Sequence, residues 1–208
     1  ALAGSLGQTW AFLEPGLLIK KYPCCFSNYQ AIEAALKITE MPGFSYDRIE
    51  QITCLTSENH FMSLPAFWPD TPYGARFCIP YCVTAALLRG CIDEASFCEE
   101  MLRNAALLRC RDRIRYDVEP RQRGKEGFGY SRIIVVQDSG QRFEAAAWPR
   151  EEERAQHWSE KDLRNKFLNC CAWIFSKVQA QRLYNVCMHM EELGDTSGLL
   201  CALCGRKA

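Results

Sequence analysis

The stretch from Ser131 to Trp148 leaves the chain few conformational options. Residues 131–137 carry the β-branched run Ile133-Ile134-Val135-Val136, and residues 141–148 carry Phe143 between Arg142 and Glu144. Between them stands Asp138-Ser139-Gly140, a sequence that turns a chain tightly. The spacing predicts an antiparallel hairpin. Two further strands are predicted. In residues 47–57, Ile49, Gln51, Thr53 and Leu55 fall on one face. In residues 113–118, Ile114, Tyr116 and Val118 alternate with Arg113, Arg115 and Asp117, giving one wet face.

Helical periodicity surrounds these strands. Residues 28–39 place apolar side chains at 31, 32, 35, 36 and 38, with Ser27 or Asn28 as cap and Pro42-Gly43 as terminator. Pro65, Pro69 and Pro72 break residues 58–73 into a packed loop. A helix is predicted over residues 74–89, interrupted early by Pro80 and stopped by Gly90, with one or two more over 93–108. After a charged linker, 149–157, Ser159 and Asp162 resemble a capping box ahead of a helix with Leu163, Phe167 and Leu168. A second helix is expected near 177–193. The fold class is therefore α+β: about four mainly antiparallel strands packed with helices before and after them.

Composition narrows the function. With 208 residues, 48% of them hydrophobic, the chain can bury a real core. Lys+Arg and Asp+Glu both number 25, so no net field draws nucleic acid or an anionic membrane. Thirteen cysteines is an odd count in a chain large enough to fold without staples, which favours reduced intracellular thiols. Cytoplasm is the expected compartment, with mitochondria the alternative in a eukaryote. Cys201 and Cys204 make half of a zinc knuckle whose only plausible companions are Cys187 and His189, and no second Cys pair completes it. His60 and His157 are too far apart in sequence to suggest a ligand set. Gly124 to Gly129 lacks the ending of a phosphate loop and reads as a mobile loop. Arg109, Arg111, Arg113 and Arg115, at spacing two, read as one solvated strand face. No metal site is expected from these spacings.

Two segments carry a family resemblance. Lys20-Lys21-Tyr22-Pro23-Cys24-Cys25 is followed by Ala31-Ile32-Glu33-Ala34-Ala35-Leu36. Farther on stands Ala75-Arg76-Phe77-Cys78-Ile79-Pro80-Tyr81, continuing to Ala85-Ala86-Leu87-Leu88-Arg89-Gly90. In this order they resemble the C-terminal domain of the MmgE/PrpD family, which includes 2-methylcitrate dehydratase, cis-aconitate decarboxylase and iminodisuccinate epimerase. The resemblance implies residues 17–208 as that domain and residues 1–16 as a linker remnant from a missing N-terminal helical domain. It also implies a lyase (hydro-lyase) or isomerase, here an incomplete fragment, without cofactor. The expected partners are a small di- or tricarboxylate substrate, the N-terminal helical domain and a second copy in a homodimer.

Breaking or inverting a bond next to a carboxylate requires a cation for the carboxylate, a base and a proton donor for the developing charge. The resemblance assigns Lys20 as carboxylate-binding and catalytic cation and Tyr81 as hydrogen-bond donor or acid. Cys25 becomes a pocket-wall residue and Arg76 a further carboxylate ligand. Two positions depart from the family pattern. Tyr29 stands where many relatives have histidine, and Cys78 where serine is usual. Histidine at the Cys25 position is preferred in the cis-aconitate decarboxylase branch, so Cys25 disfavours decarboxylation. The alternative is a non-catalytic binding or assembly module that has kept the fold.

Overall fold

The computed structural model describes residues 7, 10, 13, 17–64, 67–125, 129–149 and 158–204. Most of the linker predicted at 1–16, nearly all of that at 149–157, and residues 126–128 of the loop predicted at 124–129 lie outside the described residues. The chain divides into two compact units, one of residues 22–151 and one of residues 1–21 with 152–208.

The larger unit is a helix-covered sheet. Its helices and strands are α1 (Tyr29–Thr39), β1 (Ile49–Thr56), α2 (Glu58–Ser63), α3 (Pro72–Ala75), α4 (Ile79–Arg89), α5 (Glu99–Leu102), α6 (Ala105–Arg111), β2 (Ile114–Val118), β3 (Ser131–Gln137) and β4 (Arg142–Ala147). Strand order is β2-β1-β3-β4. The predicted hairpin is β3–β4, antiparallel, turned at Gly140 with φ +78°, a left-handed geometry that glycine adopts without steric cost. β1 and β3 are also antiparallel, whereas β2 runs parallel to β1, because the helices between them carry the chain back across the sheet.

One face of the sheet is dry. Ile52 and Cys54 stand opposite Val135 and Ile133, which stand opposite Phe143 and Ala145, and all are buried. This corrects the predicted face of β1. Its buried residues are Ile52, Cys54 and Thr56, and Ile49 joins them only because the register slips between Ile49 and Gln51. A bulge changes the parity of everything beyond it. The opposite face is charged: Arg132 binds Glu119 at 2.7 Å and Glu144 at 3.0 Å.

α1 lies on β3 and β4, with α4 packed against α1 and α6. Ala31, Ala34, Ala35, Ala85 and Ala86 are completely or almost completely buried, and such short side chains let two helices and a sheet approach closely. Each fully buried isoleucine here, such as Ile32 or Ile79, contributes roughly 1.5–3 kcal/mol of transfer free energy. α4 is apolar on all sides from Ile79 to Leu87 because it is buried on all sides. Pro80 sits in its first turn, where no backbone donor is needed, and Gly90 closes it with φ +66° and an N–H bond to the Ala86 carbonyl of 2.9 Å.

Three other expectations are revised. Residues 58–73 are not simply a loop, since α2 forms under a Ser57 cap and α3 starts at Pro72 under a Thr71 cap. The helix predicted over 74–89 is two helices separated by a turn at 76–78. Arg109 and Arg111 lie on α6 while Arg115 lies on β2, so the four arginines do not share a strand face.

The smaller unit contains α7 (Glu160–Cys171), α8 (Lys177–Met188) and α9 (Ser197–Cys204). Ser159 caps α7 by accepting the Asp162 N–H, as expected, and α9 lies beyond the elements predicted. Phe167 meets Tyr184 edge-on at 5.4 Å across α7 and α8. Among the described residues no helix is long and apolar enough to cross a membrane, and no three His, Cys, Asp or Glu side chains are grouped to hold a metal ion.

Candidate active site

Both sequence motifs surround the entry into α1 and α4. Residues 22–25 have no regular hydrogen-bond ladder, so other elements must satisfy their backbone groups. Tyr29, in the first turn of α1, supplies two partners. Its hydroxyl accepts the Tyr22 N–H at 3.1 Å and donates to the Tyr22 carbonyl at 2.8 Å. The rings of Tyr22 and Tyr29 meet edge-on at 5.1 Å, a favoured aromatic geometry. The Tyr22 hydroxyl donates to Glu33 at 2.7 Å, and burial, then the Glu33 charge, push that phenol well above its ordinary range. Asn28 makes no helix cap. Its side-chain amide donates instead to the Arg76 carbonyl, 48 residues away.

Arg76 joins the two motifs. Its carbonyl also accepts the Cys25 N–H at 2.8 Å. Its guanidinium donates to the Pro23 carbonyl and to Glu94 Oε2, the latter at 2.7 Å, and lies 4.9 Å from the centre of the Phe97 ring. Half-buried Cys25 is thus fixed through its backbone. Lys20 is exposed and belongs to the smaller unit, the one that also holds α7 to α9.

Tyr81 occupies the first turn of α4 and is fully buried. Its hydroxyl donates to the Ser96 carbonyl at 2.6 Å, and its ring sits edge-on to Trp68 at 5.6 Å and beside Phe97 at 6.2 Å. Burial, then the neighbouring thiols, push its phenol far above the ordinary value, so at neutral pH it is a proton donor and not a base. The residues that place its partner are local. Asp93 caps the turn Glu94–Phe97 in a reciprocal box with Ser96. Arg89 pairs with Asp93 at 2.6 Å and also donates to the Ser96 hydroxyl. Burial opposes the charge of Asp93, but the Arg89 bond and charge and the Ser96 bonds together outweigh it, leaving the carboxyl below its usual range.

Cys78 is buried, with its thiol directed at the Phe67 carbonyl at 3.4 Å, and burial pushes it up to about 11. Together with Phe77 it lines an open groove of about 540 Å³ whose other walls include Leu64, Phe67, Asp70 and Tyr73. A protonated thiol there is a small apolar wall. His60, in α2, is buried and held down to about 4 by desolvation, so it is neutral at physiological pH.

Of the residues singled out from sequence, Cys25, Arg76 and Tyr81 all lie in the larger unit; Arg76 bonds the segment of Cys25, and Tyr81 shares the Phe97 ring with Arg76. Residues missed from sequence are Glu94, Ser96, Phe97 and Trp68. The Asp93-Glu94-Ala95-Ser96 cap three residues after Gly90 was the available signal.

Cis-aconitate decarboxylase of Mus musculus is 23% identical over 200 residues, an alignment covering 91% of this chain and 40% of that protein. The chain therefore spans about 40% of the length of this curated relative. The MmgE/PrpD C-terminal domain matches residues 22–191, a range that contains Cys25, Arg76, Tyr81 and every element from α1 to α8, and the chain belongs to the MmgE/PrpD family.

Proposed function

We propose that the chain is the C-terminal part of a cofactor-independent lyase or isomerase that acts on small di- or tricarboxylic acids by proton transfer next to a carboxylate. The observation that carries this reading is the direct joining of the two family motifs through Arg76, which brings Cys25 and the start of α4 to one place. The relative bearing the name of a decarboxylase, itself a lyase, supports the class.

In this reading Tyr81 is the donor. Its phenol holds its proton at neutral pH and uses it on one carbonyl, an interaction a substrate oxygen can replace. Within the larger unit Cys25 and the thiol of Cys78 shape the wall, and the resemblance gives Lys20 the part of a carboxylate-binding cation. The missing base and the remaining ligands belong to the rest of the enzyme, so this chain alone is inactive. Turnover of any 2-methylcitrate-like acid by the isolated 208-residue chain contradicts that.

The second reading, a binding or assembly module, is favoured by Tyr29. Where many relatives carry a titratable imidazole, this chain has a phenol whose hydroxyl is fully engaged by its own backbone. Deuterium incorporation from solvent into candidate di- and tricarboxylates by the full-length protein separates the two. Incorporation supports the enzyme, and its absence with every acid leaves the module.

A further inference from the structure

We infer that Arg76 is a positioning residue, which clamps the Tyr22–Cys25 segment onto the start of α4 and does not itself take the substrate carboxylate. The inference rests on the reading of these motifs as the active site, and it assigns Arg76 a task within that site.

Three observations carry it. The two ends of the guanidinium are committed in different directions, one to the Pro23 carbonyl and the other to Glu94, with the plane near Phe97. A rigid, planar fork can hold two such acceptors simultaneously, which a lysine ammonium on a flexible stem cannot reproduce. The backbone of the same residue holds a second pair, the Cys25 N–H and the Asn28 amide, both at 2.8 Å. Residue 76 therefore fixes polar groups at positions 23, 25 and 28, with Tyr29 fixing those of Tyr22 from the other side.

The segment so held is irregular, and irregular backbone keeps its shape only through such external bonds. A carboxylate arriving at Arg76 would have to displace Glu94 from a guanidinium whose side chain is only 29% exposed. Charge neutralisation within the clamp makes Arg76 a poor anion site and a good strut.

Hydrogen exchange on the unliganded 208-residue chain tests the clamp without any assumption about activity. Arg76→Gln is expected to raise exchange at the Cys25 amide about tenfold while Ile133 and Val135 amides in β3 stay protected, and Arg76→Lys to recover part of that protection. Glu94→Gln, which removes one acceptor charge and keeps the arginine, is expected to raise it about threefold, and it stands in if Arg76→Gln does not fold. In the full-length protein turning over a tricarboxylate, Arg76→Gln lowers kcat on the order of thirtyfold with KM changed by less than about threefold. Unchanged exchange at Cys25 in folded variants, or a rise in KM of about tenfold or more at constant kcat, overturns the clamp and makes Arg76 a substrate ligand.

Discussion

Tyr29 and Tyr81 occupy equivalent places, each in the first turn of a buried helix and each almost completely removed from solvent, yet their hydroxyls are used differently. Tyr29 both accepts and donates, closing on the Tyr22 N–H and carbonyl. Tyr81 donates once, to Ser96. The first hydroxyl is part of the framework, because moving it breaks two hydrogen bonds to the Tyr22 backbone. The second can be redirected at the cost of one bond. Burial has made one tyrosine a bolt, while the role proposed for the other asks only that a single bond be redirected.

The largest structural effects cannot distinguish them. Tyr29→Ala and Tyr81→Ala each empty a core site and are expected to destabilise the larger unit by about 3–5 kcal/mol in urea unfolding. A marked difference would show that one site collapses around its cavity.

Acid gives a measurement independent of both hydroxyls. His60 is neutral when folded and held to about 4, against an ordinary 6.5, so between these values the unfolded chain binds the proton that the folded chain does not. Its contribution is complete above about pH 6.5 and is lost as pH falls toward 4, on the order of 3 kcal/mol, and His60→Gln is expected to flatten that slope.

The hydroxyls alone separate the two tyrosines. Tyr29→Phe removes two hydrogen bonds to buried backbone and is expected to cost about 2–3 kcal/mol, whereas Tyr81→Phe removes one and costs about 1 kcal/mol. Equal costs would break the distinction between framework and donor. The smallest effect belongs to Glu94→Gln: a partly exposed ion pair contributes about 0.5–1 kcal/mol, so its thermal midpoint moves little even where local exchange rises.

Much of the fold was legible because it is written locally. The β3–β4 hairpin follows from its turn residues, and the limits of α4 follow from Pro80 and Gly90. The buried face of β1 was misread because the slip between Ile49 and Gln51 arises from pairing with β3, which no property of the strand itself announces. α2 was hidden by the prolines that follow it, although Ser57 is an ordinary cap. The parallel pairing of β2 depends on how five helices carry the chain across the sheet.

The site divides in the same way. Residue types at the two motifs pointed to Cys25, Arg76 and Tyr81, but what each one touches is tertiary. Glu94 carries no signal of its own until the turn capped by Asp93 brings it to Arg76. Tyr29 looked like a lost imidazole in sequence. In the structure it is a gained backbone lock.

The account depends most on Tyr81 being the residue whose proton reaches substrate. The direct measurement is deuterium incorporation from solvent into a panel of di- and tricarboxylates by the full-length protein, comparing wild type with Tyr81→Phe at matched folded fraction. Incorporation into at least one acid, reduced about a hundredfold or more by Tyr81→Phe, is the predicted result. Incorporation that survives the loss of this hydroxyl, or none with any acid, contradicts it.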